Sequence, residues 1–324
     1  MNVAIIGCGG MGGHHAQFAT KCGLKVVACG DVVKAKAEAL AHRFGAEPTT
    51  DCLALCGRKD VDIVGIMTPT PYHTEYVIAA AGARKHVFCE KPFGRAVAQC
   101  EAAKAACEKA GVKLFVAHVL RYFHEFEAIK TQIENGKTGK VGFVRAYRGG
   151  IFPQGEALWF RDYAQSGGVT FDSSIHDFDW LRYAFGDPER IFCQALQRDD
   201  ALDYALATIR MKSGVIAHVI GTWAHPAGFR VKIEVCGDRG TITYDSSEAP
   251  VAAMMREVPG SAPGMIVPAS PVEVSPYQIE WQDFIAWLEG KREPKVTPAD
   301  AVWAVRIACA ALESAKTGKP VSFD

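Results

Sequence analysis

Gly7-Cys8-Gly9-Gly10-Met11-Gly12 restricts the fold of this chain more than any other stretch. It fits G-x-G-x-x-G. It lies between an apolar run at residues 2–6, which stops at glycine as a buried parallel strand does, and a helical stretch at about residues 11–22. The first glycine permits a tight turn, the second lets the backbone approach a pyrophosphate, and the third lets the helix pack closely on the strand. The start of the helix, around Gly10 and Met11, offers amide donors to phosphate oxygens. Asp31 closes a second buried strand at 24–29 and follows Gly12 by 19 residues, close to the ~20 expected of a carboxylate that accepts from ribose hydroxyls. Such a carboxylate repels a 2′-phosphate, so the pattern points to NAD over NADP, with Lys34 and Lys36 as the nearby counter-signal. A helix N-cap is the other use the spacing allows for Asp31.

Further strand-like runs at 61–67, 86–89 and 113–117 alternate with helical stretches at 33–44, 72–81 and 96–109. That alternation predicts a doubly wound parallel sheet with right-handed crossovers, an N-terminal Rossmann domain over residues 1–120. The pattern then changes. A helix at 123–134 stops at Asn135-Gly136, and extended runs at 141–147, 191–196, 204–211, 215–223, 230–235 and 241–244 follow. Lys212-Ser213-Gly214 and Gly237-Asp238-Arg239-Gly240 read as hairpin turns. The expectation for residues 121–324 is an α/β domain with an open, mostly antiparallel sheet. Residues 259–276 read as a proline-rich loop, and two closing helices at 277–288 and 298–316 can pack on either domain.

Composition excludes several classes. Lys+Arg and Asp+Glu both number 36, so no net charge draws the chain to nucleic acid or to an anionic membrane. No basic segment with an apolar stretch precedes the first strand, and no uncharged run reaches membrane-spanning length. The 11 cysteines are scattered without a C-x-x-C pair, as expected of small buried residues in a reducing cytoplasm. His14-His15 and Cys52 with Cys56 lack the companions of a metal site, so no metal is expected.

Two groups carry candidate chemistry. Glu90-Lys91-Pro92 follows a buried strand, and ligands of a doubly wound sheet sit beyond the carboxyl ends of its strands. A lysine there can hold a substrate oxygen or relay its proton; a solvated loop lysine paired with Glu90 fits the same residues. Asp172, His176 and Asp179 are spaced by four and three, so one helix would carry them on a single face, continued by Tyr183 and apart from Ile175, Phe178, Leu181 and Phe185. Histidine oriented by a carboxylate is a general base near neutral pH, while an N-capping Asp172 with a surface His176 has the same spacing. Gly167-Gly168 just upstream suggests a loop making a close approach. Beside a nicotinamide, a lysine, a histidine and a carboxylate are the parts needed to take a proton from an alcohol as its hydride leaves.

Taken together these residues resemble the glucose–fructose oxidoreductase/inositol dehydrogenase (Gfo/Idh/MocA) family almost end to end. The resemblance runs through the glycine loop, Thr68-Pro69 to His73, Glu90-Lys91-Pro92 and Arg121-Tyr122-Phe123. It continues through Trp159-x-Arg161-Asp162 and Gly167-Gly168 with Asp172, His176 and Asp179, and ends with Thr297-Pro298-Ala299-Asp300 and Glu313 to Gly318. It implies NAD-dependent oxidation of a hydroxyl on a sugar, a cyclitol such as an inositol, or a related polyol. Lys91 matches the catalytic lysine, and Asp172 and His176 match the aspartate and histidine of the inositol dehydrogenase-like pattern. Thr68, Pro69, His73, Glu90, Lys91 and Pro92 fall on the cofactor side; Lys91, Asp172 and His176 also meet the substrate, and Arg121, Trp159 and Arg161, with Tyr163, His124 and Trp223, are candidates for its pocket. A homodimer or homotetramer through the open sheet is implied as well. Relatives that hydrolyse glycosides with retained NAD, or that have lost redox activity, keep much of this outline, so a glycosidase-like hydrolase and a non-catalytic NAD(H) sensor stand as alternatives.

Overall fold

The computed structural model describes residues 1–153, 158–198, 202–248 and 274–323. The chain divides into two compact units; the first holds Met1–Val119 and a later stretch ending at Val302, the second begins at Leu120 and takes in Trp303–Asp324.

The first unit alternates strand and helix: β1 (Asn2–Ile6), α1 (Gly10–Lys21), β2 (Lys25–Gly30), α2 (Lys34–Phe44), β3 (Glu47–Thr49), α3 (Cys52–Cys56), β4 (Ile63–Ile66), α4 (His73–Gly82), β5 (His86–Glu90), α5 (Val97–Ala110) and β6 (Leu114–Ala117). The sheet order is β3-β2-β1-β4-β5-β6, and every pair is parallel. Val3, Ala4, Ile5 and Ile6 are fully buried because β1 is central and covered on both faces, which is why its sequence is a continuous apolar run. The order reverses between β1 and β4, the switch point at which an open α/β sheet leaves a crevice at its carboxyl edge. β3 and α3 had no sequence signal: β3 is three residues with Pro48 at its centre, and α3 is one turn capped by Asp51, whose carboxylate accepts from Ala54 N at 2.9 Å.

The second unit contains α6 (His124–Glu134), β7 (Val141–Ile151), α7 (Tyr163–Ser166), α8 (Gly168–Asp172), α9 (Ile175–Phe185), β8 (Pro188–Arg198), β9 (Leu202–Met211), β10 (Ile216–Thr222), β11 (Ala224–Gly237) and β12 (Thr241–Asp245). Then come α10 (Pro276–Leu288), which belongs to the first unit, α11 (Pro298–Thr317), and β13 (Val321–Ser322), which returns to pair with β8. The second sheet has the order β12-β11-β7-β10-β9-β8-β13 and is antiparallel except where β7 meets β10. Strand β9 shows why: Ala205, Ala207, Ile209 and Met211 are buried, while Tyr204 just before them and Leu206 between the first two are exposed, the two-residue period of a sheet with one covered face. Most of the proline-rich loop expected at 259–276 lies outside the described residues; Pro276 is the first residue of α10.

One expectation is overturned. Asp172 and His176 do not share a helix. Asp172 is the last residue of α8 and His176 the second of α9, with Ser173-Ser174 as the break. The Val169 carbonyl accepts from the backbone N–H groups of both Ser173 and Ser174, at 3.2 and 2.9 Å, so the α-helical register is not carried past Ser173. Asp172 is therefore no N-cap either; Ser174 occupies that position of α9.

Candidate functional site

In the first unit the glycine loop is shaped by backbone that leaves no room for side chains. Gly7 has φ +91°, and a Cβ there would lie 2.5 Å from Met67 O; a Cβ on Gly12 would lie 1.9 Å from Gly7 O. Gly9 differs: it is exposed, caps the N-terminus of α1, and would meet nothing within 4 Å. Two glycines thus close the turn and one keeps open space over the helix start, with Gly10 and Met11 half-buried beside it, the cradle a pyrophosphate needs.

Asp31 follows β2 and is half-buried. Its Oδ2 accepts from Cys8 N and its Oδ1 from Val33 N, each at 2.8 Å. The carboxylate ties the glycine loop to the end of β2 and is not the N-cap of α2, a position held by Val33. A carboxylate has more acceptor capacity than two bonds use, so ribose hydroxyls can still be met. Thr68, half-buried after β4 on the same carboxyl edge of the sheet, has a shielded Oγ1 with no partner among the described residues; Pro69 is half-buried next to it. These features fit a dinucleotide.

Other residues assigned to the cofactor side lie deeper. His73 is 1% exposed; its Nδ1 is 2.7 Å from Pro92 O and its Nε2 2.7 Å from Thr68 O, so it braces the loops after β4 and β5. Burial pushes its pKa down, against the pull of both carbonyls and of Glu90. Glu90 is 7% exposed, and Pro92 is buried behind a cis Lys91-Pro92 bond. These residues shape the turn around Lys91. From Val87 to Gly94 every residue is buried except Lys91.

The second unit repeats that signature. From Ser166 to Leu181 every residue is buried except Asp172 and His176. The reason is visible in the neighbours of His176. Asp177 forms a two-point pair with Arg148 of β7, at 2.8 and 2.9 Å, and Asp179 forms another with Arg121, at 2.8 and 2.6 Å. These buried pairs fix the rotation of α9, and His176 is on the side left over. Asp179 is therefore part of the interior, not of an open polar stripe. Arg121, 3% exposed and also 4.4 Å from the Tyr183 ring, is an interior ion-pair residue rather than one lining an accessible surface. Trp223 is likewise core, packed with Phe152, Val169, Ala205 and Phe160. Trp159 is half-buried with its ring 4.0 Å from that of Phe160, Tyr163 is half-buried, and Arg161 and His124 are exposed.

Sequence reasoning missed two partners. Arg148 sits in a strand with no motif around it. His15 was weighed only as a metal ligand, yet it is fully buried and its Nε2 lies 2.7 Å from Glu90 Oε1; its place three residues after Gly12, on the buried side of α1, was the available signal. Among the described residues no group of His, Cys, Asp and Glu could hold a metal ion, and no helix is long and apolar enough to cross a membrane.

Comparison with known proteins follows the two halves. Residues 1–118 match the model of an oxidoreductase family with an NAD-binding Rossmann fold, and residues 126–243 match the GFO/IDH/MocA C-terminal domain. The chain is 28% identical to scyllo-inositol 2-dehydrogenase (NAD(+)) of Bacillus subtilis, over 99% of this chain and 96% of that protein. It is 28% identical to 1,5-anhydro-D-fructose reductase of Ensifer adhaerens, over 83% and 82%. The crystal structure of myo-inositol 2-dehydrogenase from Lactobacillus plantarum superposes with a TM-score of 0.86 at 27% identity, covering 100% of this chain and 99% of that one.

Proposed function

The chain belongs to the GFO/IDH/MocA family of NAD-binding oxidoreductases, and from that premise we propose that it moves a hydride between NAD and a hydroxyl of a cyclitol, sugar or related polyol, with Lys91, Asp172 and His176 handling the proton. The observation that carries the residue assignment is the burial pattern: two long buried stretches each release only titratable side chains, Lys91 from one and Asp172 and His176 from the other. Bound NAD supplies the hydride acceptor or donor. Lys91 binds the reacting oxygen and offsets its developing negative charge. His176 accepts the hydroxyl proton, directly or through Lys91, and Asp172 orients His176 and hydrogen-bonds a neighbouring hydroxyl. Half-buried Trp159 and exposed Arg161 remain the substrate-side candidates.

We further propose a homodimer or homotetramer built on the uncovered face of the second sheet, where Leu196, Tyr204, Leu206 and Ile216 are 53%, 41%, 44% and 38% exposed, and a cytoplasmic setting suited to eleven cysteines outside any disulfide. Sedimentation of Leu206→Arg against the parent tests the first: loss of the oligomer is expected, and an unchanged mass would rule out this face.

The deciding experiment follows NADH and NADPH formation across cyclitols, aldoses and sugar acids, for the parent, Lys91→Ala and His176→Ala. NAD-dependent turnover that falls by about 100-fold or more in both variants, with NADH binding kept, is the expected result. Near-parental rates in the variants would sink the assignment. Silence of the parent with glycoside cleavage and no net NADH would favour the retained-cofactor hydrolase instead.

A further inference from the structure

Behind Lys91 lies a hydrogen-bond chain that ends on its own peptide nitrogen. Trp281 of α10 and His15 of α1 are both fully buried, and the Trp281 indole ring stacks on Phe88 of β5 at 3.8 Å. Trp281 Nε1–H donates to His15 Nδ1 at 3.1 Å. An indole nitrogen can only donate, so Nδ1 is the lone-pair nitrogen and the ring hydrogen sits on Nε2. From there it is donated to Glu90 Oε1 at 2.7 Å, while Glu90 Oε2 accepts from Lys91 N–H at 2.8 Å. Each link has one possible direction, and both Glu90 oxygens are held.

Two buried carboxyls in this pocket are pushed in opposite directions. Glu280, next to Trp281, is fully buried, and neither carboxyl oxygen has a partner among the described residues. Burial, then the neighbouring Glu90 and Asp283, push its pKa well above the usual carboxyl range. Burial opposes a charge on Glu90 too, but the His15 hydrogen bond and the nearby Lys91 outweigh it and hold that carboxyl below its usual range. Of these two neighbouring buried acids, the one touching Lys91 has its pKa held down and the other has it pushed up.

We propose that His15 is a positioning residue for Lys91, acting through Glu90: it orients the Glu90 carboxylate that fixes the backbone from which the Lys91 side chain projects. This rests on Lys91 being the lysine that meets the substrate. A partner behind an active group typically contributes ten- to a hundred-fold, about the loss expected when a reacting group moves by ~1 Å.

The test compares His15→Phe, which keeps a ring but loses the donor, with His15→Gln, whose amide can still reach Glu90. Trp281→Phe, which removes the indole N–H together with the pyrrole ring that carries it, is the third variant. Kinetics use NAD⁺ and myo-inositol, or the panel compound that the parent oxidises fastest, and hydrogen exchange at the Lys91 amide is measured on the same proteins. His15→Phe should lower kcat about 10- to 100-fold with KM and NADH affinity within about 3-fold, and speed Lys91 exchange about 10-fold; His15→Gln should restore most of both. If His15→Phe does not fold, the same changes at smaller amplitude in Trp281→Phe carry the test, and if no compound is oxidised the exchange decides it. Parental kcat and parental Lys91 exchange would overturn the inference. Lys91→Ala beside them separates the two readings: an active Lys91→Ala removes Lys91 itself, whereas an inactive one beside a fully active His15→Phe removes only the role of His15.

Discussion

Arg148 and Asp177 face each other inside the second unit as a two-point pair, Nε to Oδ2 at 2.8 Å and Nη2 to Oδ1 at 2.9 Å, with side chains 4% and 2% exposed. One residue before Asp177 is His176, and two after it Asp179 grips Arg121 in the same way. Strand β7 and the turn holding Arg121 thereby set how α9 presents its histidine.

Removing one partner of such a pair leaves a buried charge without compensation. Arg148→Met and Asp179→Asn should each lower unfolding free energy by about 3–5 kcal/mol, read from denaturant midpoints. The double variant Arg148→Met/Asp177→Leu should cost clearly less than Arg148→Met alone. A surface-like loss under about 1 kcal/mol would contradict the buried geometry.

The glycines separate folding from binding. Gly12→Ala drives a methyl into Gly7 O and should destabilise the fold or abolish soluble expression. Gly9→Ala meets no protein atom, so thermal stability should stay near parental while NADH affinity falls about 10-fold or more, measured by fluorescence titration. Equal affinity in Gly9→Ala would place the phosphates elsewhere.

Asp31→Ala should weaken NAD⁺ binding about 10-fold and narrow the preference for NAD⁺ over NADP⁺, because the 2′-phosphate no longer meets a carboxylate. Part of the loss comes from freeing the loop at Cys8 N. Unchanged preference between the two cofactors would dismiss Asp31 as the discriminating group.

Asp203 links pH to stability. It is fully buried beneath the Gly167-Gly168 turn, its Oδ2 accepts from Val169 N at 2.7 Å, and burial raises its pKa from 3.8 to about 6. A raised folded-state pKa means that its contribution is full below the unfolded value and is lost as pH rises through about 6. The loss amounts to about 3 kcal/mol at neutral pH. Asp203→Asn should therefore gain stability relative to the parent at about pH 7.5 and gain little at about pH 4.5, followed by urea unfolding at both. A gain independent of pH would exclude ionisation as the cause.

The Rossmann half was legible because its signals are local. The turn at Gly7, the close approach at Gly12 and the apolar run of β1 each depend on backbone within a few residues. The alternation of β9 and the stop at Asn135-Gly136 were legible for the same reason. Asp31, Lys91, Asp172 and His176 could be nominated from spacing and resemblance.

The amino-acid sequence thus determined the order of elements, the two domain types and a short list of candidate groups, since periodicity and turn chemistry act over one or two turns of chain. Tertiary structure alone decided which polar residues face inward. Arg121, Trp223, His73 and Glu90 read as site residues but are interior supports, and α8 and α9 separate at Ser173-Ser174, where one helix had been expected. Arg148 finds Asp177 29 residues away and Trp281 finds His15 266 residues away. Burying a charge or a ring nitrogen is tolerable only beside its partner. That partner is chosen by the packing of distant strands and helices, and no local pattern announces it.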